Sequence, residues 1–177
     1  MDDIVKQALA KWPHVPDCWG WLGLDMRGNW WMRDDAAQAA GDFVHSKGSR
    51  LQHSKLIDFI ARNYEVDAQG CWFFQNGPQR VFVELEATPM VWRVEPNGSI
   101  TSHIGSKVAD FSQWITDEQG RLYGVSEGVL GIVHTQDVLH AASLIEALQA
   151  PVHEVPFAQL PVQIGFVRSP QHRHIRQ

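Results

Sequence analysis

The sequence predicts an α+β protein made of antiparallel β-hairpins and short helices. Two observations predict it: acid-and-glycine turns recur between short apolar runs, and several other segments carry apolar residues at helical spacing. Adjacent strands joined by tight turns favour antiparallel pairing. The sequence has no alternation of strands and helices with a glycine-rich turn, so it does not indicate a doubly wound nucleotide-binding fold.

Composition sets the class of protein before any element is assigned. The 177 residues suit one domain or two small lobes, and 44% hydrophobic with 20% charged residues is typical of a globular chain. A net charge of −5 argues against general nucleic-acid binding. No apolar run approaches the roughly 18 residues of a spanning helix, and the acidic start is unlike a secretory signal. We therefore expect a soluble, cytoplasmic protein with no membrane partner.

Four turns share one chemistry. An acidic side chain can bond to nearby backbone, and a following glycine supplies the positive φ of a bulged hairpin loop. The four predicted turns are Asp25–Gly28, Asp67–Gly70, Glu95–Gly98 and Asp117–Gly120. The glycine spacing is irregular, so we interpret these turns as reused hairpin chemistry and not as a repeat architecture.

Apolar spacing predicts three helices, over residues 4–11, 52–64 and 136–149. Thr135 is the predicted N-cap of the last one, because its hydroxyl can accept from a free backbone N–H. The segment Asp34–Ser49 is predicted to be a long surface loop with one weak helical turn around 36–40.

Alternating or short apolar runs predict the strands that the turns do not already place. These are Val81–Glu86, Met90–Val94, Leu122–Val125, Val129–Val133, Val152–Val155 and Val162–Val167. The basic residues after Pro170 end the chain, so we expect a frayed, flexible tail.

Roughly a third of the chain, from Gly28 to Val91, resembles an uncharacterised bacterial family, a domain of unknown function. The shared features are a Gly-x-Trp hairpin, a helix, an Asp-x-x-Gly-aromatic hairpin and an acidic strand that runs to a Pro-hydrophobic step. Here they are Gly28-Asn29-Trp30, Leu51–Tyr64 with Leu56 and Phe59, Asp67/Gly70/Trp72/Phe73, and Val81–Glu86 running to Pro89-Met90-Val91.

The sequence also departs from that family. Arg27 stands where the family has Asp, Asn76-Gly77-Pro78-Gln79 replaces its Thr-Pro-x-Glu step, and the Asp34–Ser49 loop has no counterpart. The resemblance implies two β-rich lobes, each with one main helix, which present a concavity suited to a ligand. It implies no activity. We place the lobes at 1–96 and 97–168, with residues 169–177 as the tail.

Polar motifs give little evidence of chemistry. Cys18 and Cys71 belong to no CxxC or Cys/His pair, so both are interpreted as small buried hydrophobes. The nine histidines show no metal-site spacing, and neither a metal nor a cofactor is predicted. Glu84 and Glu86 lie two apart on a strand and could act as acid and base, but the same spacing is typical of a solvated strand face, which we favour.

Tryptophan is the more informative residue type. Trp19 and Trp21 are predicted to share one strand face, whereas Trp30 and Trp31 must point to opposite faces. The outward member of that second pair is the best candidate for a ligand contact, with an Arg or a His to fix a polar group. The candidate ligand-binding residues are Trp21, Trp30, Trp31, Arg33, His53, Arg80 and Trp92.

We therefore predict a protein of unknown function that binds a small molecule, or regulates, through an aromatic-lined cleft without catalysis. One alternative is a hydrolase-type enzyme that uses Glu84/Glu86 or a histidine. Another is a protein-interaction module with an exposed Trp patch, for which a homodimer is one option for the partner. An apolar pocket with few titratable groups favours the binding protein, whereas clustered groups with shifted pKa values favour the enzyme.

Overall fold

The computed structural model describes residues 1–175, and the chain forms two compact units. The first comprises Met1–Asp25, Asn29–Glu86 and the segment from Phe166 onward; the second comprises Met26–Gly28 and Ala87–Gly165. This division differs from the predicted boundaries at 96 and 168. After the second unit the chain returns to the first, where the Arg168 carbonyl accepts a hydrogen bond from the Leu85 N–H at 2.8 Å. Leu85 lies at the end of the segment Asn29–Glu86, after which the chain entered the second unit.

The helices and strands are numbered in chain order. The helices are α1 (Asp3–Lys11), α2 (Asp35–Ala39), α3 (Ser54–Arg62), α4 (Val138–Leu148), α5 (Leu160–Ile164) and α6 (Pro170–Ile175). The strands are β1 (Cys18–Leu24), β2 (Trp30–Met32), β3 (Ser49–Arg50), β4 (Tyr64–Val66), β5 (Trp72–Asn76), β6 (Gln79–Leu85), β7 (Met90–Val94), β8 (Ile100–Ser102), β9 (Lys107–Val108), β10 (Gln113–Thr116), β11 (Leu122–Ser126), β12 (Val129–Val133) and β13 (Val152–Glu154). Within residues 1–175, none of the helices has the length and apolar character needed to cross a membrane.

The first unit is a six-stranded sheet in the order β3-β2-β1-β6-β5-β4. Helix α3 packs on one face, where the Phe59 ring meets the Phe74 ring edge-on with centroids 5.4 Å apart. On the same sheet the buried Trp30 packs edge-on against Tyr64. These large aromatic side chains form the core of this unit.

The second unit is a seven-stranded sheet in the order β13-β10-β11-β12-β7-β8-β9. Its core contains two tryptophans and is covered on one side by α4, through Val138, Leu144 and Ile145. The buried members are Trp92, Val94, Ile100, Trp114, Leu122, Val133 and Ala141. The α+β class and the two β-rich units agree with the prediction.

Both sheets are mixed, not purely antiparallel. The hairpin partners are antiparallel as predicted, whereas β1–β6, β12–β7 and β10–β13 are parallel. Each parallel pair joins segments that are distant in sequence through a crossover connection. Turn chemistry reports only local pairing, so the sequence pattern could not reveal these three pairs.

The four predicted glycine turns are confirmed. Their glycines have φ of +80° at Gly28, +81° at Gly70, +80° at Gly98 and +72° at Gly120. In each turn the N–H of the acidic residue donates to the carbonyl of the residue that follows the glycine. The acid-and-glycine pattern therefore fixes four hairpins by local chemistry.

Three predictions about individual elements are wrong. The segment 162–167 contains no strand: α5 occupies Leu160–Ile164, because Pro161 suits a first helical turn and Gly165, at φ +88°, ends the helix. Thr135 is not the N-cap of α4; Asp137 is, and its carboxylate accepts from the Val94 N–H and from Arg93. The predicted helix 52–64 ends at Arg62, since Tyr64 begins β4.

Candidate functional site

An apolar groove opens on the face of the six-stranded sheet that α3 covers only partly. It has a volume of about 210 Å³ between β1, β2, β5, β6 and α3, and its lining includes Trp21, Met32, Leu51, Leu56 and Phe74. Within residues 1–175, no charged side chain lines it. An apolar concavity with few polar groups is typical of a small-molecule site.

A bulge in β1 aims Trp21 into this groove. Cys18 lies opposite Val81 and Leu22 lies opposite Val83, so three residues of β1 face one residue of β6 between these pairs. Gly20, at φ +78°, supplies the irregular backbone. The extra residues interrupt the regular alternation of side chains between Cys18 and Leu22, and Trp21 lines the groove together with both of them.

The prediction that Trp19 and Trp21 share one strand face is therefore wrong. Trp19 stacks on Phe82 with ring centroids 3.9 Å apart, whereas Trp21 lines the groove with Val81. Val81 and Phe82 are neighbours on β6 and point to opposite faces of the sheet.

The rim of the groove leaves two large apolar side chains in contact with solvent. Trp21 is 41% exposed and Met32 is 48% exposed, while Ile60 and Leu22 at the base are buried. Large apolar side chains grouped around a concavity indicate a surface that another molecule covers.

Cys18 lies at the groove, and its surroundings do not activate it. Burial raises the pKa of the Cys18 thiol above its ordinary value. A nucleophilic or metal-binding cysteine requires the opposite shift, because the thiolate is its reactive form. Cys18 therefore contributes a neutral, polarisable wall to the groove.

Trp30 and Trp31 point to opposite faces of β2, as predicted. Trp30 is buried in the core. Trp31 is half-buried, donates its indole N–H to the Asp25 carboxylate at 2.9 Å, and carries the Lys47 ammonium 5.8 Å from its ring centroid. Neither lines the groove, so Trp21 is the tryptophan of the predicted set that does.

Arg33 is fully buried and bonds only to backbone carbonyls among its identified contacts. Its Nε donates to Ser46 O at 2.9 Å, and its terminal nitrogens donate to Gly20 O, Ala37 O and Gly41 O. Burial lowers the pKa of the Arg33 guanidinium from its ordinary value, and the nearby Glu84 and Asp42 oppose this shift. The side chain thus holds the loop around α2 against the β1 bulge.

The remaining predicted site residues lie in three different places. His53 caps α3, its Nδ1 accepting from the Leu56 N–H at 3.3 Å. Arg80 forms a bidentate pair with Asp17 and lines a polar cavity of about 180 Å³ beside Trp19. Trp92 is buried at the base of a cavity of about 280 Å³ in the second unit. The seven predicted residues therefore do not converge on one cavity.

Of the ten described residues that line the groove, the predicted set contains Trp21 and lacks the other nine: Cys18, Leu22, Met32, Leu51, Leu56, Ile60, Phe74, Asn76 and Val81. Met32 carried a usable signal, because it lies two residues after Trp30 on the same strand face. Leu56 appeared in the sequence only as part of the apolar stripe of a helix. An apolar stripe does not show which of its members the sheet leaves uncovered.

Glu84 does not lie on a solvated strand face, so that interpretation is wrong. It is buried, accepts from the Ser169 hydroxyl at 2.5 Å and accepts from the Gln171 N–H at 2.9 Å. Glu86 instead pairs with Lys47 at 2.7 Å. The two carboxylates have separate partners, and Glu84 serves as an anchor for the first turn of α6.

The hydrogen bonds that Glu84 accepts from Ser169 and Gln171 also correct the prediction of a flexible tail. Residues 170–175 form α6, and the His174 ring stacks on Trp19 with centroids 4.5 Å apart. Residues 176–177 of the predicted tail lie outside the described residues. The basic composition of this terminal segment predicted fraying. The sequence pattern could not show that the buried carboxylate of Glu84, more than eighty residues earlier in the chain, binds the segment.

Glu84→Gln is expected to change how stability depends on pH. Burial raises the pKa of Glu84 above its ordinary value of 4.5, against the bonds from Ser169 and Gln171. The folded protein therefore binds the proton more tightly, and this stabilisation is present at low pH and lost as the pH rises through the folded pKa. In urea unfolding between pH 4 and 8, the free energy of unfolding of Glu84→Gln should increase relative to that of the wild type as the pH rises.

A matched control for this pH series is Glu146→Gln, which removes one exposed carboxylate from α4. It reports the effect of losing a negative charge without disturbing a buried group. If the free energy of unfolding of Glu84→Gln decreases relative to that of the wild type as the pH rises, the assigned upward shift of the Glu84 pKa is contradicted.

No cluster of three or more His, Cys, Asp or Glu side chains arranged to hold a metal ion occurs within residues 1–175.

The stacked rings of Phe82, Trp19 and His174 border the polar cavity with Asp17 and Arg80. The guanidinium of Arg80 is engaged by Asp17, and His174 already covers one face of Trp19. This cavity consequently offers less free surface to a ligand than the apolar groove does.

The chain resembles two solved structures. A DUF1285 family protein from Shewanella baltica OS155 superimposes with a TM-score of 0.48 at 15% identity, covering 71% of this chain and 92% of that one. A DUF1285 family protein from Silicibacter pomeroyi DSS-3 superimposes with a TM-score of 0.50 at 12% identity, covering 81% of this chain and 85% of that one. The second likeness shows a shared fold and nothing further.

Among curated proteins, none matches this chain. The profile of one family, DUF2944, matches residues 1–171. That span is far longer than the hairpin–helix–hairpin stretch from which membership of an uncharacterised family was predicted, and it confirms that prediction. The chain therefore belongs to the DUF2944 family, whose description is "Protein of unknown function (DUF2946)".

Proposed function

We propose that this protein binds a small apolar molecule in the groove of the six-stranded sheet and performs no chemistry on it there. The observation that carries the proposal is the exposed pair Trp21 and Met32 on the rim of an uncharged concavity. A catalytic cleft would need titratable groups within reach of one another. The Cys18 thiol, which burial keeps protonated, is the titratable group among the described residues that line the groove.

The volume of the groove limits the size of the ligand. About 210 Å³ is somewhat larger than the roughly 150 Å³ apolar cavity that holds a benzene molecule. A fused bicyclic ring or a chain of about eight carbons suits that space. We expect an affinity in the micromolar to millimolar range, because only about ten heavy atoms would be buried against the cost of association.

Asn76 gives the groove one neutral polar contact. Its exposed amide lies among the lining residues at the end of β5 and can both donate and accept a hydrogen bond. An apolar wall with one such amide favours a ligand that carries a single hydroxyl, carbonyl or ring N–H. Trp21 supplies a flat surface for a ring to pack against.

The test uses three probes, indole, 1-naphthol and 1-octanol, and their binding is measured by thermal shift and ligand-observed NMR. We expect at least one ring probe to raise the melting temperature of the wild type. Trp21→Ala should weaken its binding about tenfold, because the substitution removes one wall of the groove. The variant should stay folded, since Trp21 is 41% exposed.

Trp12→Ala is the matched control. Trp12 is 51% exposed, follows α1 directly and does not line the groove. It should bind the probes as the wild type does. Equal binding by Trp21→Ala and the wild type would overturn the proposal, as would the absence of any binding. If no probe binds and Trp21→Ala changes the oligomeric state in sedimentation, the rim is a protein contact instead.

A further inference from the structure

A second cavity, of about 280 Å³, lies on the seven-stranded sheet, in the unit that does not contain the apolar groove. Its floor is apolar and includes Met90, Trp92 and Val129. Its walls come from β9 with the loop after it, and from the hairpin between β11 and β12. The cavity therefore differs in kind from the groove, because polar side chains form a large part of its lining.

The position of α4 explains why this part of the sheet is open. The helix lies at the Val94 end of β7, where the His140 Nδ1 is 3.0 Å from the Val94 carbonyl and Leu144 lies beside Gly98. Trp92 lies toward the other end, its indole against Gly131, where an added Cβ would meet the ring at 2.3 Å. Among residues 1–175 no helix residue lines this cavity, so β9, the loop after it and the β11–β12 hairpin form an open cup.

Charged side chains of both signs surround the cup. Lys107 lies on β9, Asp110 follows it, and Glu127 lies on the opposite wall in the β11–β12 hairpin. All three are exposed. Among residues 1–175, their side chains make no hydrogen bond and no ion pair, so their charges are available to a bound molecule.

Glu127 also holds an unfavourable backbone conformation. It forms a two-residue hairpin loop with Gly128, and the two have φ of +51° and +79°. Asn or Gly is preferred at the first of these positions, and a residue such as Glu pays about 1 kcal/mol or more there. A strained position that places a free carboxylate beside a cavity suggests that the carboxylate has a use.

We propose that this cup binds a zwitterionic small molecule, with its ammonium group at Glu127, its anionic group at Lys107 and its apolar middle over Met90 and Val129. Lys107 and Glu127 both line the same cavity of about 280 Å³, the first from β9 and the second from the β11–β12 hairpin. A ligand that lies in this cavity with its two charges separated by a carbon chain would bring each charge to one of these side chains. Asp110 makes the lining net negative, which disfavours a ligand that is only anionic.

Serine hydroxyls add neutral contacts to the same site. Ser106 and Ser126 line the cup from opposite walls, and each hydroxyl can donate and accept. These groups fix orientation, whereas the two opposed charges select the class of ligand. This inference is independent of the proposal for the apolar groove, since the two sites share no residue.

The test is calorimetric titration of the full chain with 4-aminobutanoate, 6-aminohexanoate and 8-aminooctanoate at low salt. Hexanoate and hexylamine are the comparison probes, because each lacks one of the two charges. We expect at least one ω-amino acid to bind ten times more tightly than either comparison probe. Glu127→Gln and Lys107→Met should each remove that difference, while Trp12→Ala should preserve it.

A second variant separates binding from folding. Glu127→Asn suits the left-handed turn better, so it should raise the melting temperature and still abolish the preference for ω-amino acids. Equal binding of hexanoate, hexylamine and the ω-amino acids would overturn the proposal. So would the absence of binding by all three ω-amino acids, or an unchanged preference in Glu127→Gln.

Discussion

Arg33→Met is expected to lower the free energy of unfolding by about 3–5 kcal/mol, because each buried carbonyl left without a donor costs about 1–3 kcal/mol. Four carbonyl groups, those of Gly20, Ala37, Gly41 and Ser46, would lose their donor. Methionine fills much of the volume but donates no hydrogen bond. Urea unfolding at neutral pH measures the loss.

Arg50→Met is the matched control for this substitution. Arg50 is exposed on the edge strand β3 and donates to the Asn29 side chain. A surface bond of this kind contributes at most about 1 kcal/mol. If Arg33→Met costs no more than Arg50→Met, the carbonyl contacts of Arg33 do not hold the loop.

The same substitution distinguishes two roles for Arg33. As a polar anchor for a ligand, the role predicted from the sequence, its removal would weaken binding and leave stability largely unchanged. As the support of the β1 bulge, its removal should reduce stability and also disturb Trp21, because the guanidinium donates to the carbonyl of the preceding residue, Gly20, at 3.2 Å. Indole binding by the folded fraction reports that second effect.

Gly131→Ala is expected to cost about 2 kcal/mol through overpacking. An added Cβ would lie 2.3 Å from the Trp92 indole, which is buried and donates its Nε1–H to the Gly124 carbonyl at 2.8 Å. The ring cannot move aside without breaking that bond or displacing Phe111, which packs against it. Thermal and urea unfolding measure the loss.

A double-mutant cycle identifies the cause of this loss. Trp92→Phe provides a smaller ring, so Gly131→Ala should cost clearly less in that background than in the wild type. The coupling should exceed about 0.5 kcal/mol, as it does for residues in direct contact. Equal costs in both backgrounds would show that the indole is not what the new methyl group meets.

Local features of the fold could be predicted from the sequence. The acid and glycine of each of the four turns act within five consecutive residues, so no distant segment is needed to form them. Trp30 and Trp31 point to opposite faces for the same reason, because adjacent residues of a regular strand alternate. The helices α1 and α3 follow from apolar periodicity in the same local way.

The candidate site was less predictable, since its geometry depends on one irregularity. Trp21 was among the predicted ligand contacts, but alternation placed it on the face of Trp19. The bulge at Gly20 reverses that assignment. Glycine in a strand is compatible both with a bulge and with ordinary pairing, so the sequence does not choose between them.

The sequence by itself determined the class of fold, the hairpins and the tryptophan-rich core, because these depend on neighbouring residues and on how much apolar surface the chain must bury. Only the tertiary structure decided the three parallel strand pairs, the burial of Glu84 beneath α6 and the division of the predicted site residues among separate cavities. Each of these joins residues far apart along the chain. Hydrophobic periodicity reports that a side chain is covered, but it carries no information about which distant segment covers it.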